Sequence, residues 1–150
     1  MILLLPLLGV TVAAVGQGLP KGVADHLNRN YPGWKLAPSA ANCTMYSNGG
    51  YVSGDFDGDG RRDYAVKFTN GDKGFLIAFL KKRSHYKAFV LHDTDSSEVT
   101  NSGLGIWKKS EVFEYEDKQL RLRRDAPADF PCESDAGGIH YYQDGKFVGY

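Results

Sequence analysis

Four aspartates, Asp55, Asp57, Asp59 and Asp63, fall within nine residues of the stretch GDFDGDGRRDYAVKF. Carboxylates crowded this closely repel one another unless something cationic lies among them. A hard divalent cation takes six to eight oxygen ligands at about 2.3–2.6 Å. The spacing D-x-D-x-D-G-x-x-D can supply them. Alternate side chains at Asp55, Asp57 and Asp59 fold inward around one centre. Gly60 lets the backbone turn where a side chain would obstruct it, and Gly58 keeps the loop able to wrap. The Arg61 carbonyl then faces the ion, Asp63 closes the shell, and the Arg61 and Arg62 side chains point outward. The pattern predicts a calcium site in loop 55–63. The competing reading is a metal-free acidic turn, because Asp and Gly are common in turns. A calcium ion here is structural: its ligands are all protein groups and leave little room for a substrate.

The loop is not an EF-hand. That loop carries a bidentate Glu at its twelfth position between two helices, whereas the twelfth residue from Asp55 is Val66 and both flanks alternate like strands. DFDGDGRRDYAV instead resembles the calcium loop of the FG-GAP and VCBS repeats found in the β-propeller of integrin α-subunits, D-[FL]-[DN]-G-D-G-x-x-D before an apolar strand. The resemblance implies calcium bound by Asp55, Asp57, Asp59, the Arg61 carbonyl and Asp63. It covers about 15 of the 150 residues. There is one copy, where a propeller has one per blade, so the chain is not a whole propeller. More broadly, the order L-P-x-x-V, Y-P-G-W, G-D-F-D-G-D-G-x-x-D and Y-Y-x-D-G-K-F looks like small exported bacterial proteins with no assigned function. That second resemblance implies export and no particular chemistry.

Other reactive side chains form no familiar pattern. His26, His85, His92 and His140 show neither H-E-x-x-H nor zinc spacing with cysteine. His92-Asp93-Thr94-Asp95 could offer a base or a ligand cluster, or simply open a loop. There is no G-x-S-x-G, and Gly103-Leu104-Gly105 lacks the third glycine of a dinucleotide fingerprint. Cys132 stands beside Glu133 and Asp135, which raise a thiol pKa and disfavour a nucleophile. Lys81-Lys82-Arg83 and the basic run Arg121 to Arg124 read as solvated strand ends. Tyr141, Tyr142, Phe147 and Tyr150 could line a sugar-binding face or pack a core.

The elements that must position these groups read as one domain. Eighteen basic residues balance eighteen acidic ones, so nothing draws the chain to nucleic acid or an anionic membrane. A chain of this length buries roughly two-thirds of its extended surface. Residues 1–18, MILLLPLLGVTVAAVGQG, carry no side-chain charge and run apolar from Ile2 to Val15. That is short for a membrane span, which needs about 20 residues, and fits an export signal cleaved after Gly16 or Gly18. No basic residue precedes the run, Pro6 interrupts it, and the alternative is a retained anchor or buried segment. Cys43 and Cys132, 89 residues apart, form a disulfide in an exported protein; two separate buried thiols are the alternative.

Leu19, Val23, Leu27 and Tyr31 predict a short amphipathic helix over 19–31, ended by Pro32. Beyond it the period is two. Strands are expected at 51–56, 64–69, 74–80, 86–91, 111–115, 120–124, 138–142 and 146–150. Residues 37–50, 93–105 and 125–138 read as loops. The fold class is α+β: seven or eight mostly antiparallel strands and one short N-terminal helix. The functional expectation is a secreted or periplasmic domain that binds a structural Ca2+ ion and a protein or glycan partner, without catalysis. The alternatives are an extracellular polymer hydrolase using His92 and nearby carboxylates, or an inhibitor that inserts loop 93–105 into a partner's cleft.

Overall fold

The apolar stripe at the start of the domain is a helix, α1 (Lys21–Asn30), in the computed structural model, which describes residues 18–43, 49–134 and 136–150. The expected export signal lies outside the described residues except for Gly18. Val23, Ala24 and Leu27 are the buried residues of α1. Its end is held by side chains. The Trp34 indole N–H donates to Asn28 Oδ1 (2.8 Å), and the Asn70 amide donates to the carbonyls of Tyr31 (3.1 Å) and Pro32 (2.8 Å). Those two carbonyls lie just past the last helical residue, and that of Tyr31 also accepts from Trp34 N at 3.0 Å.

Eleven strands and a second helix follow among the described residues: β1 (Lys35–Leu36), β2 (Tyr51–Gly54), β3 (Asp63–Asn70), β4 (Lys73–Lys81), β5 (Tyr86–Asp95), α2 (Ser96–Thr100), β6 (Ser102–Trp107), β7 (Val112–Tyr115), β8 (Lys118–Arg121), β9 (Ala126–Pro131), β10 (Gly138–Gln143) and β11 (Lys146–Gly149). All pairings are antiparallel. One sheet runs β1-β3-β4-β5, with β2 also on β3; a second runs β11-β10-β9-β6; β7 and β8 form a separate hairpin.

The layers follow from the period-two alternation of side chains. On one face of the first sheet Val66, Phe68, Ile77 and Phe79 bury Leu19, Val23 and Leu27. On its other face Ala65, Leu76 and Leu80 meet Leu104 of the second sheet, with Phe56 among them. The far face of the second sheet, Ala126, Ala128, Phe130, Ile139 and Tyr141, is covered by Phe113 and Leu122. The order is therefore helix, sheet, sheet, hairpin.

The expected class stands, but seven or eight strands was too few. Residues 93–105 are not a loop. They hold the end of β5, all of α2 and most of β6, and a Cβ on Gly74 of β4 would lie 2.6 Å from the Val99 side chain. Residues 125–138 contain β9, hidden by two prolines. Proline lacks the N–H of a central strand, yet β9 meets β10 only at Gly138↔Asp129 and Ile139↔Ala128. Pro127 and Pro131 lie outside that short ladder. Cys43 and Cys132 are bonded, with Cα atoms 4.5 Å apart, so the two-thiol alternative falls. The four C-terminal aromatics are packing residues: Tyr141 is buried, Phe89, Tyr142 and Phe147 make mutual ring contacts, and Tyr150 packs on Tyr115.

Candidate functional site

The aspartate loop spans the open end of the β2–β3 ladder, closed by Gly54↔Asp63. Gly58 and Gly60 have φ of 80° and 82°, a region disfavoured for residues with a Cβ. Asp55 accepts from the amides of Gly58 and Gly60, both at 2.9 Å. Asp57 Oδ1 accepts from Asp59 N (3.2 Å) and Asp59 Oδ1 from Arg61 N (2.8 Å). These bonds curl the chain so that one carboxylate oxygen from each of Asp55, Asp57 and Asp59 comes within 4.8 Å of the others. An ionised carboxylate has about four acceptor sites, so these bonds leave lone pairs for a cation.

The fourth predicted carboxylate is placed differently. Asp63 is buried and outside this group; Oδ2 accepts from Phe56 N and Oδ1 from Lys81 N, both at 2.7 Å. It joins the loop, anchored by the buried Phe56, to the end of β4. Burial pushes the Asp63 carboxyl up to about 6, against the pull of those two N–H groups. The Arg61 guanidinium does not point away as expected: Nη1 returns to Asp59 Oδ2 at 2.8 Å. Partial burial raises the Asp59 pKa, but the Arg61 bonds and the nearby Lys82 outweigh it and leave it below its ordinary value. Lys82 Nζ lies 2.5 Å from Asp57 Oδ2, a bond that raises the Lys82 pKa. Arg124 Nη1 donates to the Asp57 carbonyl at 3.2 Å. Asp125 N and Oδ2 exchange hydrogen bonds with Asp55 O and N, both at 3.1 Å. The loop is thus fastened to the second sheet's side of the molecule.

A second group lies between the two main sheets. His140 Nε2 is 2.7 Å from Asp129 Oδ1, and His92 Nε2 is 3.3 Å from Asp129 Oδ2. The two imidazoles meet edge to face at 5.0 Å. Asp129 and His92 also line a cleft of about 410 Å³ with Lys67, Glu98 and Ser102. Lys67 is 1 % exposed, and its ammonium donates to the Ser102 carbonyl. Burial pushes that ammonium down to about 8, with Asp129 pulling the other way. The suspected cluster of His92 with its own sequence neighbours does not form. Asp93 faces Lys73 at 3.7 Å, and Thr94 bonds Glu98. Lys67, Asp129 and His140 had no local sequence signal. They lie on β3, β9 and β10, and finding them required the register of those strands.

Lys67 sets a pH dependence. Between about pH 8 and 10.5 the unfolded chain holds a proton that the folded chain has released, so stability rises with pH across that window. The full difference is roughly 3 kcal/mol. Denaturant titrations at stepped pH are expected to show this rise in the wild type and its loss in Lys67→Met. Parallel curves for the two would mean the amine is not held in its charged form at a cost.

A helix-backed pair of antiparallel sheets with a carboxylate loop at one end and a cleft lined by His92 and Asp129 between the sheets defines the class: an α+β domain of mostly antiparallel strands. Compared with known proteins, the chain matches no family model, no curated protein and no solved structure.

Proposed function

We propose that this is a domain of the cell exterior, secreted or periplasmic, that binds one structural Ca2+ ion in loop 55–63 and engages a protein or glycan partner without catalysis of its own. The observation that carries the reading is the convergence of Asp55, Asp57 and Asp59 within a strand-flanked loop whose two glycines have positive φ. The Arg61 carbonyl and a remaining lone pair of Asp63 complete the shell. Lys82 leaves Asp57 when the ion enters. The Cys43–Cys132 disulfide fits an oxidising compartment, and no helix among the described residues is long and apolar enough to cross a membrane.

Thermal unfolding of the oxidised protein in EGTA and in millimolar calcium tests the site, with magnesium as control because it prefers tight octahedral, partly hydrated sites. Calcium at 100 times its dissociation constant adds about 2.7 kcal/mol, a rise of several degrees. Asp57→Ala is expected to abolish that rise. No shift at any calcium concentration would leave an acidic turn held by its own hydrogen bonds. The hydrolase reading has one observation in its favour: His92, Asp129 and Lys67 face one cleft. The inhibitor reading loses its projecting loop, since 93–105 is folded into β5, α2 and β6.

A further inference from the structure

We propose that His92, Asp129 and His140 form a second metal site, distinct from the aspartate loop, for a divalent transition ion of the zinc class, with an open coordination position facing the inter-sheet cleft. The three side chains come from β5, β9 and β10, so strands of both main sheets hold them. Zinc takes imidazole nitrogen and carboxylate oxygen at about 2.0–2.2 Å, and sites with three protein ligands keep a fourth position for water or an exogenous ligand. A tetrahedral ion at those distances spaces its ligands about 3.3–3.6 Å apart. His92 Nε2 and Asp129 Oδ2 already stand 3.3 Å apart, and His140 Nε2 and Asp129 Oδ1 need to open from 2.7 Å. One ligand atom from each of the three residues lies within 4.8 Å of the other two, so the adjustment an ion requires is a side-chain one.

The register of β5 is what places His92. Ile77 pairs with Val90 but Leu76 pairs with His92, so the ladder shifts by one residue between them. A strict alternation would put His92 on the opposite face from Leu91. With the shift, Leu91 packs into the inter-sheet cluster and His92 also turns toward the second sheet, where Asp129 is. Bulges of this kind re-aim side chains beside functional sites. On the second sheet, Ala128 and Phe130 face the hairpin, which leaves Asp129 facing inward. His140 precedes Tyr141 of the same outer cluster and faces inward in the same way. The side chains of His140 and Asp129 are 12 % and 22 % exposed, while that of His92 is 45 % exposed. Asp129 is thus set in the cleft wall with His140 behind it, and His92 stands at the mouth. The cleft supplies the open side, and the Lys67 ammonium in it offers a donor to an anionic or oxygen-bearing ligand on the ion.

The test is a zinc titration of the oxidised protein against a chromophoric chelator, with excess calcium present to occupy the aspartate loop. Cobalt replaces zinc in a parallel titration to report coordination geometry by its absorption spectrum. One zinc per chain is expected. Outer-shell partners of a metal are worth roughly 10–100-fold in affinity, so loss of a ligand is expected to cost at least about 100-fold. His92→Gln and His140→Gln should each show that loss, while His85→Gln and Asp57→Ala bind as the wild type does. His92→Gln decides the matter if His140→Gln fails to fold, because the His92 ring is half exposed. Zinc binding unchanged in His92→Gln, binding that follows His85→Gln or Asp57→Ala instead, or no binding by the wild type overturns the proposal.

Discussion

Replacing both Cys43 and Cys132 with Ser is expected to lower stability by about 4 kcal/mol in the chain-entropy account of a closed loop of this length. The bond spans 89 residues, and what it joins explains why the loss appears in one place. Cys43 follows β1 and Cys132 follows β9, so the link crosses from the first sheet to the second. Beside it, backbone bonds join the same segments: Ala40 N donates to Thr100 O at 3.3 Å and Cys132 N to Asn101 O at 2.9 Å. Denaturant unfolding of the oxidised protein, the reduced protein and the double Ser variant checks this. Reduced and variant proteins should agree with each other and fall well below the oxidised one. Equal stability of all three would mean that the sheet-to-sheet core alone fixes the arrangement. The cleft lies beside this link, through Asn101 and Pro131. Loss of the bond should therefore weaken zinc binding while leaving the calcium response intact.

Asp63→Ala is expected to cost roughly 2–4 kcal/mol in EGTA as well as in calcium. The Phe56 and Lys81 amides each donate to this carboxylate at 2.7 Å in a buried setting. Leaving a buried donor without a partner costs about 1–3 kcal/mol. Part of that is returned, because burial disfavours the charge itself and pushes its pKa to about 6. The informative comparison is with Asp57→Ala, whose carboxylate is 5 % exposed and meets the Asp59 amide and the partly exposed Lys82. Asp57→Ala should remove the calcium response and lower the EGTA baseline less than Asp63→Ala does, because Lys82 is partly exposed and regains water. Asp63→Ala should lower the baseline. An Asp63→Ala protein as stable as wild type in EGTA would give Asp63 a purely ionic role.

The chemistry legible in the sequence was the chemistry of neighbours. Asp55, Asp57 and Asp59 stand two residues apart, and the positive-φ glycines among them sufficed to bring their oxygens together. Asp63 fits the same spacing, but its position as the first residue of β3 turned its oxygens to backbone amides. The helix was legible from its four-residue stripe, β4 from its unbroken apolar run, and β3, β5, β10 and β11 from alternation and turn residues. The β6 strand, SGLGIW, and the β9 strand, APADFP, were not. Glycine and proline disfavour strands locally, and here the pairing of Ser102–Trp107 with Ala126–Pro131 overrides that preference.

The sequence by itself determined the class of fold, the short helix, the carboxylate loop and the availability of two cysteines to bond. The first three depend on side-chain period or spacing within about a dozen residues, where the backbone geometry is nearly fixed, and the last on cysteine count alone. Only the tertiary structure decided what stands between the sheets. His92, Asp129 and His140 meet because a one-residue shift in β5 reverses the side-chain alternation and because β9 exists at all. Such contacts are set by which strands pair and in which register, and a slip of one residue would send each side chain to the opposite face.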